Sequence, residues 1–93
     1  MIQFKNQERM ILMAWELNSD RPIYTQILEI IQTRIISGIY KPGEKLPSVR
    51  ELAAQASVNP NTMQKAFAEL EKSGLITTQR GSGRSVTEDT IMI

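Results

Sequence analysis

Only Ser57, Val58 and Asn59 separate two stretches that each repeat apolar residues at the spacing of one helix face. In the first, Val49, Leu52, Ala53 and Ala56 fall at i, i+3, i+4 and i+7; in the second, Met63, Ala66, Phe67 and Leu70 do the same. Local signals mark the ends. Ser48-Val49-Arg50-Glu51 follows Pro47 as a capping box, in which the Ser48 hydroxyl and the Glu51 carboxylate each satisfy a backbone N–H. Asn59 is placed to cap the second helix, Pro60 takes its first position, and Ser73-Gly74 ends it. Two amphipathic helices with so short a link form a helix-turn-helix.

The rest of the chain builds around that unit. A helix is expected from Pro22 to near Ser37, with Gly38 as its left-handed stop. Its apolar stripe is Tyr24, Ile27, Leu28, Ile31 and Ile35, and its outer face Thr25, Glu29, Gln32 and Thr33. Lys41-Pro42-Gly43-Glu44 reads as a turn by composition. After the second helix of the pair, Leu75 to Gln79 is β-prone and Arg80-Gly81-Ser82-Gly83-Arg84 is a glycine-rich tip. Ser85-Val86-Thr87 returns as a second strand. The fold class is therefore α+β, mainly α: a winged helix-turn-helix of three helices plus a two-stranded β-hairpin wing.

Residues 20–87 are assigned to this domain, 1–19 to an N-terminal arm and 88–93 to a C-terminal tail. In the arm, Ile11, Met13, Trp15 and Leu17 alternate with Leu12, Ala14, Glu16 and Asn18. That period of two fits an extended segment; a disordered lead of residues 1–12 before a start at Met13 is the other reading.

Composition narrows the function. A chain of 93 residues with 41% hydrophobic and 23% charged side chains makes one small soluble domain. No apolar run approaches the roughly 20 residues of a membrane span, and no secretion signal opens the chain. There is no cysteine, which makes the cytoplasm the default location and excludes thiolate metal sites. There is no histidine either, so the commonest general base and neutral metal ligand is missing. An enzyme would need paired carboxylates in a pocket, whereas the acidic residues fall on outer helix faces or in turns. No catalytic residue, metal ligand or cofactor site is expected, and no cluster points to a small-molecule effector.

The net charge is +1, unevenly distributed. Residues 1–40 balance, whereas residues 41–84 carry seven basic side chains against four acidic ones. The surplus surrounds a helix whose outward face, Asn61, Gln64, Lys65 and Ala68, is almost neutral. In a helix-turn-helix the second helix enters the DNA major groove with its N-terminal residues nearest the bases. Asn and Gln can pair with adenine there, and Thr can touch a base or a thymine methyl. Arg50, Lys65, Arg80 and Arg84 are placed to supply cationic affinity. Ser48, Asn59 and the glycines of the tip have structural duties as cap, helix start and turn, each compatible with a phosphate contact.

The ordered blocks P-I-Y-T-Q-I (from Pro22), I-I-S-G (from Ile35), K-P-G-E-K-L-P-S-V-R-E-L-A (from Lys41), V-N-P-N-T (from Val58), L-E-K-S-G-L-I (from Leu70) and R-G-S-G (from Arg80) resemble one family. It is the N-terminal winged-helix domain of GntR-family transcriptional regulators, and Asn-Pro-Asn-Thr resembles its YtrA-like branch. The resemblance implies a homodimer on a palindromic double-stranded DNA operator, usually acting as a repressor. It assigns DNA contacts to Arg50, Asn59, Asn61, Thr62, Lys65, Arg80, Gly81 and Gly83, beside Ser48, Gln64 and Arg84 from the residue reading. The alternative is a winged helix used as a protein-interaction module without DNA affinity.

Three departures stand out. Asn59-Pro60 replaces the Ser-Arg found in many members, so the operator sequence is not transferable. The wing reads Gly83-Arg84-Ser85-Val86 where glycine, threonine, an aromatic residue and valine are common. Seven residues follow Val86, where the short branch usually adds a helical dimerisation segment. A DNA-binding piece of a longer regulator and a small regulator that dimerises by other means both satisfy that ending.

Overall fold

The computed structural model of the chain describes residues 15–79, 81 and 83–88. Most of the expected arm (1–14), the end of the tail (89–93), Arg80 and Ser82 lie outside the described residues. The elements run in the order α1 (Ile23–Ile36), α2 (Val49–Ala56), α3 (Pro60–Ser73), β1 (Ile76–Gln79) and β2 (Gly83–Val86). This is the expected winged helix-turn-helix.

The helix ends follow from local chemistry. Ser48 has extended backbone, and its Oγ accepts the Glu51 N–H at 3.1 Å, which is the serine half of the capping box. Asn59 Oδ1 accepts the Asn61 N–H at 2.8 Å, with Pro60 opening α3. Between these helices Ser57 takes φ 57°, the left-handed conformation usually left to glycine. The Val58 N–H then donates back to the Ala53 carbonyl at 3.0 Å, so the chain reverses within the three-residue link.

α3 is the central element, packed against α1, α2 and β1. Its stripe of Met63, Ala66, Phe67 and Leu70 meets Ile27, Ile31 and Ile35 from α1, Leu52 and Ala53 from α2, and Ile76 and Val86 from the wing, all of them buried. Burial of a side chain the size of Phe67 contributes about 2–3 kcal/mol. Its polar N-terminal turn is thereby held rigidly at the surface.

Two features of the wing differ from the expectation. The strands pair antiparallel with Ile76 opposite Val86 and Gln79 opposite Gly83, so Gly83 and Arg84 belong to the second strand and not to the tip. Moreover, the expected turn from Lys41 to Glu44 forms, but the chain after it pairs with the wing. The Glu44 N–H closes the Pro42-Gly43 turn on the Lys41 carbonyl at 2.9 Å. The chain then runs beside β2: the Val86 N–H donates to the Glu44 carbonyl and the Leu46 N–H to the Arg84 carbonyl, both at 2.9 Å, with Lys45 opposite Ser85. β2 is thus supported on both sides.

α1 buries two polar side chains within its apolar face. Gln26 Oε1 accepts the Asn18 N–H at 2.9 Å, while its amide donates to the Asn18 and Arg21 carbonyls at 2.7 and 2.9 Å. It fastens the incoming chain to the helix while meeting its own hydrogen-bonding needs. Arg34 is 1% exposed, donates to Tyr40 Oη at 2.9 Å and lies under Trp15. Trp15 and Leu17 pack against the core, with Glu16 and Asn18 exposed between and after them. Among the described residues no helix is long and apolar enough to cross a membrane.

Candidate nucleic-acid interface

The first turns of α3 present Asn61, Gln64 and Lys65 to solvent, with Thr62 half-buried beside them. The cap determines what Asn59 can offer. Its Oδ1 is engaged with the Asn61 N–H, which leaves the amide NH2 of this exposed residue as its donor. Lys65 Nζ lies 4.0 Å from the centroid of the Tyr24 ring, close enough for the ring face to orient the ammonium. Tyr24, Ile23, Asn61, Thr62 and Lys65 line a shallow hollow of about 390 Å³ where α1 and α3 begin.

A second hollow, also about 390 Å³, lies between the wing and the start of α2, with Lys45, Ser48, Glu51, Gly81 and Gly83 in its walls. It brings together four predicted residues: Ser48, Gly81, Gly83 and Arg84. Gly81 and Gly83 have φ +80° and +81°, a conformation that L side chains rarely adopt. A Cβ on Gly81 would meet nothing within 4 Å, so the backbone angle and not crowding calls for glycine there. The bare backbone leaves the wing open to close approach. Arg50 is exposed on the first turn of α2.

Lys45 was missed by the sequence reading. It is exposed, and its Cε is 3.8 Å from where a Gly83 Cβ would stand. The signal was available in its place just before Pro47-Ser48, but its pairing with β2 appears only in the fold. Among the described residues the ion pairs are Arg21–Glu29 and Arg84–Glu71, which leaves Lys45, Arg50 and Lys65 unneutralised.

Arg84 is placed differently from the other candidates. Its Nε donates to Glu71 Oε1 at 2.6 Å, and its guanidinium carbon is 5.4 Å from the Phe67 ring centroid. The Arg84 hydrogen bond, helped by one from Thr78, holds the Glu71 carboxyl below the usual glutamate range. Arg80 lies outside the described residues. No group of three or more acidic side chains that could hold a metal ion is present among the described residues.

A buried second helix with an exposed polar N-terminal face, a bare glycine wing and unneutralised cations around both defines the winged helix-turn-helix class of regulator domains. The chain belongs to the GntR family: the family described as "Bacterial regulatory proteins, gntR family" matches residues 23–86. It is 51% identical over 71 residues to the "HTH-type transcriptional repressor YtrA" of Bacillus subtilis, a match covering 76% of this chain and 55% of that protein. The uncharacterised regulator YhcF of the same organism is 45% identical over 73 residues, covering 78% of this chain and 60% of its own. The chain thus spans little more than half the length of these curated relatives. Among solved structures, a GntR family transcriptional regulator from Listeria monocytogenes superposes with a TM-score of 0.80 at 49% identity, covering 83% of this chain and 68% of that one. The AraR DNA-binding domain in complex with operator ORE1 gives 0.69 at 33% identity, covering 82% and 95%.

Proposed function

We propose that the chain binds DNA sequence-specifically as a transcriptional repressor, occupying a palindromic operator as a homodimer. α3 enters the major groove and the wing lies at the minor groove or the backbone. The observation that carries this reading is the nearly neutral N-terminal face of α3 set among cations that, among the described residues, have no acidic partner. A neutral hydrogen-bonding face suits base edges, and cations at its border suit phosphates. YtrA's description as a repressor and the operator complexes of AraR support the same assignment.

Asn61, Thr62 and Gln64 take the base-edge roles, where each good bidentate pair is worth about 1–3 kcal/mol of discrimination. Ser48, Arg50, Asn59, Lys65, Arg80 and the backbone at Gly81 and Gly83 take phosphate or groove-wall roles, and Lys45 joins them. The Ser48 hydroxyl accepts from Glu51 and keeps its own proton to donate.

A mobility-shift titration with the promoter of the chain's own gene, against random DNA at about 150 mM salt, tests this reading. The promoter is expected to bind more tightly, and Arg50→Ala to weaken it. Equal affinity for both DNAs overturns specific recognition. A chain that passes through heparin at low salt favours the protein-interaction module.

A further inference from the structure

Among the described residues, Arg84 is the one charged side chain of the hairpin; it borders the hollow beside Ser48, yet its Nε is tied to the protein. The Nε hydrogen bond to Glu71 ties β2 to α3 directly. Arg84 stands opposite Thr78 of β1 in the antiparallel pair, so the bond to Glu71 fastens the paired strands of the wing to α3. Phe67, buried one turn earlier on α3, supports the guanidinium from below. The Arg84 and Glu71 side chains are 23% and 34% exposed, which shields the pair in part from salt. At 1.5 Å per residue, Glu71 lies about 15 Å along α3 from Asn61, well away from the turn assigned to the bases.

We propose that Arg84 is a positioning residue: through Glu71 it sets the angle of the wing on α3, and this is what it contributes to DNA binding. The inference rests on the DNA-binding reading above and concerns how α3 and the wing are held in register for two different surfaces of one duplex. A wing free to rock on α3 must be ordered when DNA binds, and that ordering lowers affinity.

The roles of Glu71 under the two assignments of Arg84 are opposite. If Arg84 serves a phosphate, Glu71 competes for it, and removing the Glu71 charge strengthens binding. If Arg84 latches the wing, removing that charge weakens binding even though the domain becomes more positive.

The test uses Glu71→Gln, Arg84→Gln and the double variant in the full chain. Fluorescence anisotropy is read on a labelled duplex selected by the wild-type chain from a randomised pool, over a series of salt concentrations. Each single variant is expected to lose affinity by about threefold to tenfold, with the double variant no weaker than either, as coupled residues behave. The salt slope stays at the wild-type value. Tighter or unchanged binding by Glu71→Gln overturns the proposal, as does a drop of about one in the salt slope of Arg84→Gln alone.

Amide exchange in the free chain separates this from failure of the parent reading. The Val86 and Thr87 amides, which donate to the Glu44 and Leu75 carbonyls, are expected to exchange faster in Glu71→Gln, and unchanged exchange overturns the latch whether or not DNA binds. A wild-type chain that selects no duplex overturns the DNA reading and with it the latch's role in binding.

Discussion

The guanidinium carbon of Arg34 lies 4.1 Å from the centroid of the Trp15 ring, so the last turn of α1 and the chain entering the domain are clasped through a cation and an aromatic face. A planar guanidinium tolerates burial here because its face stacks on the indole while its edge donates to Tyr40 Oη at 2.9 Å. Arg34→Ala removes the stack, opens a void and takes a donor from a buried hydroxyl. The expected loss is about 2–4 kcal/mol, measured by urea unfolding. Trp15 is the single tryptophan of the chain and reports the transition by fluorescence.

Asn59 combines two roles that substitution separates. Asn59→Ala removes the cap on the Asn61 N–H and is expected to cost about 1 kcal/mol of stability, whereas Asn59→Ser keeps a capping oxygen. Both lack the outward amide. Thermal unfolding is therefore expected to distinguish the two variants, and DNA titration to show a loss of about threefold to tenfold for each.

The position of Lys45 beside the wing predicts a nonspecific contribution. Lys45→Ala is expected to weaken promoter and random DNA by the same factor and to lower the salt slope by about one, read from titrations at several salt concentrations. Stability stays near that of the wild type, because the exposed side chain has no ionic partner among the described residues.

Glu71 predicts a pH signature. Its folded pKa is lowered, first by the Arg84 hydrogen bond, so its contribution to stability is present above the unfolded pKa of about 4.3 and is lost as pH falls through the lower folded value. Wild type is expected to be more stable than Glu71→Gln at neutral pH. Paired thermal melts are expected to show that advantage shrinking below about pH 4.

These residues also show what the sequence made legible. The limits of α2 and α3 could be read because their signals are local: Ser48 reaches Glu51, Asn59 reaches Asn61, and Gly74 stops the chain at φ +86°. The buried stripe of α3 followed from its period alone. Arg34 also falls on the buried face of α1, three residues after Ile31, but a charge at that position reads as surface until Trp15 and Tyr40 are seen around it. The pairing of Glu44 to Leu46 with β2 was hidden because Pro42-Gly43 marks a turn and the partner strand lies far along the chain. Arg84 likewise reads as a free wing cation until the fold brings Glu71 to it. Ser48, Gly81, Gly83 and Arg84 were each visible singly, and their meeting in one hollow with Lys45 depends on how β2 packs.

The most direct test of α3 as the reading helix is dimethyl sulfate protection of the chain's own promoter DNA. The reagent methylates guanine N7 in the major groove and adenine N3 in the minor groove. The proposed binding mode predicts two symmetric blocks of guanine protection about one helical turn apart, or a multiple of it, altered in Asn61→Ala. Guanines that stay fully reactive across the bound region, with protection only of adenines or none at all, would contradict it.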